Sequence, residues 1–176
     1  AGTFLLRDIR PGASSSSIRY AINVNGTLYF SANDGTTGQE LWKSDGTVAG
    51  TVLAADLFPG PSSSSPFGQR QIAVSTVIGD SLYFPARINS NDSSPAIFKL
   101  AGDSNLDLLT DAYPNGIRRL GPIWMTDFNG DLAFASDDGN VGVEIWLLKD
   151  EHLADAGDYN ADDLVDGADF LAWQRS

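Results

Sequence analysis

Short stretches of alternating apolar and polar residues, separated by glycine-rich breaks, recur along this chain. In residues 27–32 the alternation places Leu28 and Phe30 on one face of an extended strand and Tyr29 on the other, because successive side chains of a strand point to opposite faces. The pairs that repeat this parity are Leu28/Phe30, Leu82/Phe84 and Leu132/Phe134. The three phenylalanines are spaced by 54 and 50 residues. A period of about 50 residues is typical of stacked supersecondary units such as kelch-type propeller blades.

The first copy predicts about four short strands joined by tight turns. Its strands are expected over residues 19–24, 27–32, 39–44 and 52–57. Asn25-Gly26 is a strong hairpin signal, because both turn residues of such a hairpin need a positive φ, and Asn129-Gly130 repeats it. Asp34-Gly35 with Gly38, and then Asp45-Gly46, form the next two turns.

An apolar stretch at residues 3–9 predicts one more strand, and its beginning matches residues 49–53 in the middle of the repeat. We therefore expect sequence upstream of this chain, including any export signal. After Trp146 no fourth strand is predicted for the last repeat, and the strand predicted at residues 3–9 has no assigned blade. It could complete the last blade or one further upstream.

Each predicted fourth strand leads into a turn and a polar connector. The connectors contain Pro11-Gly12 with serines 14–17, Pro59-Gly60 with serines 62–65, and residues 114–116. Proline followed by glycine favours a tight turn. Serine-rich tracts are usually flexible spacers, so we interpret these serines as spacers rather than as a binding site.

Trp42, Phe98 and Trp146 occupy one matched position in the three copies. A ring at a fixed repeat position usually fills the core between neighbouring sheets, although such rings could also form a ladder for stacking on sugars. We favour core packing. The predicted fold class is all-β, with β-propeller-like blades: three four-stranded antiparallel repeats at residues 3–48, 51–104 and 105–150.

Three repeats form an incomplete ring, because propellers typically close with about 4–8 blades. The chain is then a piece of a longer propeller, or an arc whose open sheet edges allow self-association. A net charge of −12 argues against nucleic acid and anionic membranes as partners. The chain has no cysteine, which removes disulfides and thiol chemistry, and no apolar run reaches the ~18 residues of a membrane span.

The first copy contains Glu40-Leu41-Trp42, followed by Asp45-Gly46-Thr47. It resembles the Glu-Leu-Trp-x-x-Asp-Gly-Thr repeats of large secreted or surface proteins of environmental bacteria. The second copy has Ala96-Ile97-Phe98 at the matched position, and the third keeps Glu144-Ile145-Trp146. The resemblance covers residues 1–150 and implies an extracellular or cell-surface protein with no enzymatic role.

Near the C-terminus, residues 158–169 space oxygen-bearing groups as an EF-hand-type calcium loop does. The candidate Ca²⁺ ligands at loop positions 1, 3, 5, 7, 9 and 12 are Asp158, Asn160, Asp162, the carbonyl of Leu164, Asp166 and Asp169. Asp163 replaces the usual glycine at position 6, and Asp169 is shorter than the usual glutamate. We therefore expect weak Ca²⁺ binding, followed by a short helix; a solvated acidic tail is the alternative.

Residues 157–176 resemble one half of a type I dockerin module of the kind found in planctomycete-like bacteria. The resemblance implies a partial dockerin-like segment over residues 158–176, joined by a linker at residues 151–157. Dockerins carry two such calcium loops and bind a cohesin partner, and only one loop is present here. The implied partner is a cohesin-like protein or a cell surface.

No catalytic motif is recognisable. The single histidine, His152, lies in the predicted linker without partners that would position it. Glu40 recurs as Glu144 and Asp34 as Asp138, which is typical of turn formers or caps that serve each repeat. We expect a secreted, non-catalytic interaction or scaffold module. The alternative is a carbohydrate-binding propeller or an accessory piece of a polysaccharide-degrading protein.

Overall fold

A computed structural model describes residues 2–67, 75–88, 95–102, 105–109, 120–137 and 139–149 of the chain. Within these ranges the regular secondary structure is β-strand throughout, without a helix, and the strands form three antiparallel sheets. The predicted all-β class is therefore confirmed. The short helix predicted to follow the acidic loop lies outside the described residues.

Each sheet is built from strands that are consecutive in the sequence. Sheet A contains β1 (Arg19–Val24), β2 (Thr27–Asn33), β3 (Gln39–Ser44) and β4 (Val52–Ala55), in that order. Sheet B contains β5 (Thr76–Ile78), β6 (Ser81–Ala86), β7 (Ala96–Ala101) and β8 (Asn105–Leu108), in that order. Sheet C has the order β11-β10-β9, with β9 (Leu120–Phe128), β10 (Asp131–Asp137) and β11 (Val143–Leu148). The described part of sheet C thus has three strands, where sheets A and B have four.

The turns form where the sequence predicts them. Asn25 and Gly26 between β1 and β2 have φ values of 49° and 87°, and Asn129 and Gly130 between β9 and β10 have 57° and 94°. Positive φ at both central residues gives the hairpin twist that matches the right-handed twist of the strands. Both Asn-Gly hairpins are therefore confirmed.

The sheets pack face to face in chain order. One core cluster joins Tyr29 and Leu41 of sheet A to Leu82, Phe84 and Phe98 of sheet B. A second cluster joins the opposite face of sheet B to sheet C, through Tyr83, Ile97, Leu132, Phe134 and Trp146. Sheet B thus presents one face to sheet A and the other to sheet C, because successive side chains of a strand point to opposite faces.

The aromatic position shared by the three repeats belongs to the core. Trp42 and Phe98 are buried, and Phe98 stacks on Phe84 with ring centroids 5.7 Å apart. Trp146 packs against the cluster between sheets B and C, and its indole N–H donates to the carbonyl of Ser136 at 3.0 Å. The predicted packing between sheets is thus confirmed for Phe98 and Trp146, whereas Trp42 is buried on its own sheet, in a cluster with Ile9 and Phe30.

Residues 3–9, by contrast, form no strand, so that prediction is wrong. Phe4 and Leu5 are 75% and 77% exposed, and the backbone around them pairs with no neighbouring strand among the described residues. The segment is attached at its far end, where the Arg7 guanidinium donates to the carbonyl of Thr51 and Ile9 packs against Phe30. An apolar sequence alone does not make a strand, because a strand also needs a partner for its backbone hydrogen bonds.

Candidate functional site

The predicted calcium loop lies outside the described residues, together with the predicted linker and His152. The ligands that cannot be placed are Asp158, Asn160, Asp162, Leu164, Asp166 and Asp169. Among the residues that are described, no group of three or more histidine, cysteine, aspartate or glutamate side chains could hold a metal ion. The calcium site remains a prediction.

The most distinctive polar group in the described structure is Glu40, a fully buried carboxylate on β3. One of its oxygens accepts the backbone N–H of Ser64 at 2.8 Å. The other accepts the N–H of Leu57 at 2.9 Å and the Ser64 hydroxyl at 2.6 Å. Three donors from the connector after β4 therefore converge on one side chain. We call this arrangement the carboxylate joint.

The joint gives both oxygens of the Glu40 carboxyl group hydrogen-bond partners, but these bonds do not fully offset the effect of burial on its charged form. Burial raises the pKa of Glu40, the hydrogen bonds from Ser64 and from the Leu57 N–H lower it, and the neighbouring Asp56 raises it again; the net pKa lies above the usual value. A raised pKa in a cleft is a common sign of a catalytic acid. Here both oxygens are already bound and the side chain is closed to solvent, so the carboxyl connects two segments of the chain and has no room for a substrate.

The serine run at residues 62–65 is held along β3 by more than the joint. The Ser63 hydroxyl accepts the N–H of Gln39 at 3.0 Å, and the N–H of Ser65 donates to the Gln39 carbonyl at 3.0 Å. A Cβ added to Gly38, whose φ is +81°, would clash with the carbonyl oxygen of Ser62. The interpretation of this run as a flexible spacer is therefore wrong: it is docked against sheet A.

The aspartates of the first copy form turns, as predicted. Asp34 accepts the backbone N–H groups of Thr36 and Thr37, both at 2.8 Å. Partial burial raises the pKa of Asp34, but the hydrogen bonds from Thr37 and Thr36 outweigh it and lower the pKa to about 2. At Asp45 the hydroxyl and N–H of Thr47 hold the pKa of the carboxyl below its usual value. These local side chain–backbone bonds are typical of Asx turns.

Sheet C keeps the joint's acceptor without its donors. Glu144 on β11 matches Glu40, but it is exposed and its carboxylate bonds to no described residue. The next residue, Ile145, is 72% exposed, whereas the matching Leu41 is 0% exposed. Gly142 has the same positive φ as Gly38, at +84°, yet a Cβ added to it would meet nothing within 4 Å. On sheet A the connector lies against Glu40 and Gly38, and the core shared with sheet B covers Leu41.

At the other end of the chain, the connector at residues 9–17 repeats the backbone of residues 57–65. Its glycine has φ +108° where Gly60 has +100°, and Ser17 has φ 50° where Ser65 has 49°. The carbonyl of Ser16 accepts the N–H of Asn33 at 2.8 Å, just as Ser64 accepts that of Arg87 at 2.8 Å. Ile9 and Ser16 therefore match the two residues that supply the donors of the joint.

Sequence reasoning identified Glu40 and Glu144 as matched residues but did not identify their partners. At the second copy the position holds Ala96, which is buried in the sheet. The signal that could have revealed the joint is the pairing of the acid with a serine run 24 residues later. Composition alone assigns that run to a spacer, and the spacing carries no helical or strand period that would link the two.

Comparison with protein-family models, with curated proteins and with solved structures gave no match. Among the described residues, no helix has the length and hydropathy that crossing a membrane requires. Among the described residues, the buried acid Glu40 is bound by two backbone N–H groups and the Ser64 hydroxyl, while Asp34 and Asp45 accept hydrogen bonds within turns.

Proposed function

We propose that this chain is a secreted or cell-surface, non-catalytic interaction module. The observation that carries the proposal is the use of the recurring acids. Glu40 fastens the connector to sheet A and Asp34 shapes a turn, so both acids are engaged by neighbouring groups of their own chain. The exposed edge of sheet C at Glu144 and Ile145 leaves surface for a partner.

The stacking of three antiparallel sheets in chain order supports a β-propeller-like arrangement as the finer description of the fold. In a propeller each blade presents one face to the blade before and one to the blade after, and sheet B packs in this way between sheets A and C. Small-angle scattering of the chain tests this proposal. A curved, wedge-shaped arc is expected, whereas a flat linear stack would contradict a propeller.

For the C-terminal segment we propose Ca²⁺ binding and, through it, attachment to a cohesin-like protein or a cell surface. The support is the loop spacing of residues 158–169. Titration calorimetry with CaCl₂ tests it: Asp158→Ala removes the first loop ligand and should abolish the binding heat. Asp107→Ala, an acid exposed on β8, is the matched control and should leave the heat unchanged. Equal heats from both variants would refute the site.

A carbohydrate-binding role is the second candidate, and the described rings do not favour it. Trp42 and Phe98 lie in the core, so they cannot form a ladder for sugar stacking. A glycan array and a polysaccharide hydrolysis screen test the two roles together. Hydrolysis that is lost on substitution of one carboxylate would overturn the non-catalytic proposal, and glycan binding without hydrolysis would favour the alternative.

A further inference from the structure

In the part of the chain that the structure describes, sheet C has no counterpart of the edge strand β4 of sheet A. In sheet A, β4 pairs antiparallel with β3 through Leu41↔Ala55, Trp42↔Leu53 and Lys43↔Val52. In sheet C, β11 matches β3, and no described strand lies on its far side. Its backbone N–H and C=O groups along that side are a template for another strand.

The sequence that matches β4 a second time is residues 3–9. Counted from Pro11-Gly12 and Pro59-Gly60, Phe4 matches Val52, Leu5 matches Leu53, and Arg7 matches Ala55. In the described structure this segment has no strand partner, and Phe4 and Leu5 are exposed. Among the described residues, the segment 3–9 is thus a strand sequence without a strand partner, and β11 is a strand with one free edge.

We propose that residues 3–9 of one copy of this chain pair antiparallel with β11 of a second copy, and that the connector after them closes on the second copy's Glu144. The register follows from sheet A: Phe4 opposite Leu147, Leu5 opposite Trp146, and Arg7 opposite Ile145. The partner is a second copy of this chain. The proposal goes beyond the proposed function and does not require the calcium loop.

The carboxylate joint supplies the specificity of this contact. On sheet A the N–H of Leu57 and the N–H and hydroxyl of Ser64 bind Glu40. The matching donors at Ile9 and Ser16 find no carboxylate among the described residues, and the connector that carries them already has the required backbone shape. Glu144 is the matching acceptor without donors. The match gives these donors a carboxyl group to bind and gives Glu144 the donors that Glu40 has, so it is favourable.

The contact needs little rearrangement within the donating copy. At the junction of sheets A and B, Leu57 packs in the core while its N–H binds Glu40 of sheet A. Ile9 already packs against Phe30 and Trp42 of its own sheet, so it can stay in place. Only residues 2–8 must move, which breaks the Arg7 hydrogen bond to Thr51. Docking would then bring sheet A of the donating copy over Ile145, as sheet B covers Leu41 of sheet A.

The contact is head to tail, because the donor and the acceptor are different surfaces. Such heterologous contacts build rings or open filaments rather than closed dimers. The wild-type chain should therefore assemble beyond a dimer as its concentration rises. A chain with only one working end should stay monomeric alone, and two such chains with opposite defects should form a one-to-one dimer.

Sedimentation velocity over a concentration series tests this scheme with two variants. Phe4→Asp disables the donor, and Ile145→Asp disables the acceptor; both side chains are exposed, so neither substitution should disturb the core. Each variant should lose assembly and their mixture should give a dimer. A monomeric wild type, a variant that still assembles, or a mixture that stays monomeric would each overturn the proposal. Assembly should also persist in EDTA, and loss in EDTA would assign it to the acidic tail instead.

Disulfide trapping tests the register. The chain has no native cysteine, so only the introduced cysteines can form a disulfide. A Phe4→Cys chain mixed with a Leu147→Cys chain should crosslink, because a disulfide needs Cα atoms about 4.4–6.8 Å apart. A Val143→Cys chain is the matched control, since this residue lies on the same strand about 13 Å from Leu147 and is also exposed. Equal crosslinking of the two acceptor chains would refute the register and, with it, strand donation.

Discussion

Replacing Glu40 by glutamine removes one acceptor from the carboxylate joint and leaves the size of the side chain almost unchanged. The carbonyl oxygen of glutamine can still accept the Leu57 N–H and the Ser64 hydroxyl if it takes the place of the oxygen that they share. The amide NH₂ then faces the Ser64 N–H, and two donors meet. Ser64 is fully buried, so water cannot easily take over the lost bond.

The expected loss of stability follows from that single unpaired donor. A buried donor left without an acceptor costs about 1–3 kcal/mol, so Glu40→Gln should lower the free energy of unfolding by about that amount. Glu40→Ala leaves all three donors unpaired and should cost more than the glutamine variant. Glu144→Gln is the matched control: the same substitution at the same strand position, but exposed, should change the free energy by less than about 0.5 kcal/mol.

Urea unfolding followed by tryptophan fluorescence, at a concentration where the chain is monomeric, measures these differences. The pH dependence gives a second readout. The folded pKa of Glu40 is raised above its unfolded value of 4.5. The contribution of this shift to the free energy of unfolding is therefore fully present below pH 4.5 and is lost as the pH rises through the folded pKa. The advantage of wild type over Glu40→Gln should therefore shrink as the pH rises above about 4.5. Equal effects of Glu40→Gln and Glu144→Gln would refute the joint.

Two further predictions concern neighbouring features of sheet A. Gly38→Ala should destabilise the protein by more than the ~1 kcal/mol cost of a left-handed backbone, because the new methyl group also collides with the Ser62 carbonyl. Gly142→Ala is the control: this glycine has a similar φ but open space around it, so the same urea assay should show the backbone cost alone. The folded pKa of Asp34, about 2, lies below its unfolded value of 3.8, so its contribution to the free energy of unfolding is lost as the pH falls between these values. Acid unfolding of Asp34→Asn should lack this contribution. Identical acid transitions of the variant and wild type would contradict the turn assignment.

Local structure was predictable from the sequence wherever the interacting residues are close together in the chain. Asn25-Gly26 needs no distant contact to form its turn, and alternation is enough to place Leu82 and Phe84 in a strand. β1 and β3 have the predicted bounds for the same reason. The packing of Phe98 and Trp146 against a neighbouring sheet also followed from their shared register position, while Trp42 at the same position packs on the connector residue Ile9.

Contacts between distant segments were not predictable in the same way. Residues 3–9 and 52–55 have similar sequences, yet only the second segment is a strand, because β3 pairs with it. The serine run at residues 62–65 has the composition of a spacer, and what fixes it is a carboxylate 24 residues earlier than Ser64. In both cases the deciding interaction lies outside the segment itself.

Glu40 and Glu144 show why a repeat unit of this chain cannot be defined by its own sheet. A strand supplies the acid, and the connector that enters the next sheet supplies the donors, so the joint belongs to two units at once. Burial of an unpaired carboxyl is costly, and Glu40 is tolerated in the core only because the connector meets it. Glu144 carries no such cost while it is exposed, and in the proposed assembly it joins a second copy's connector. In a chain of such units, stability depends on each interface as much as on each sheet.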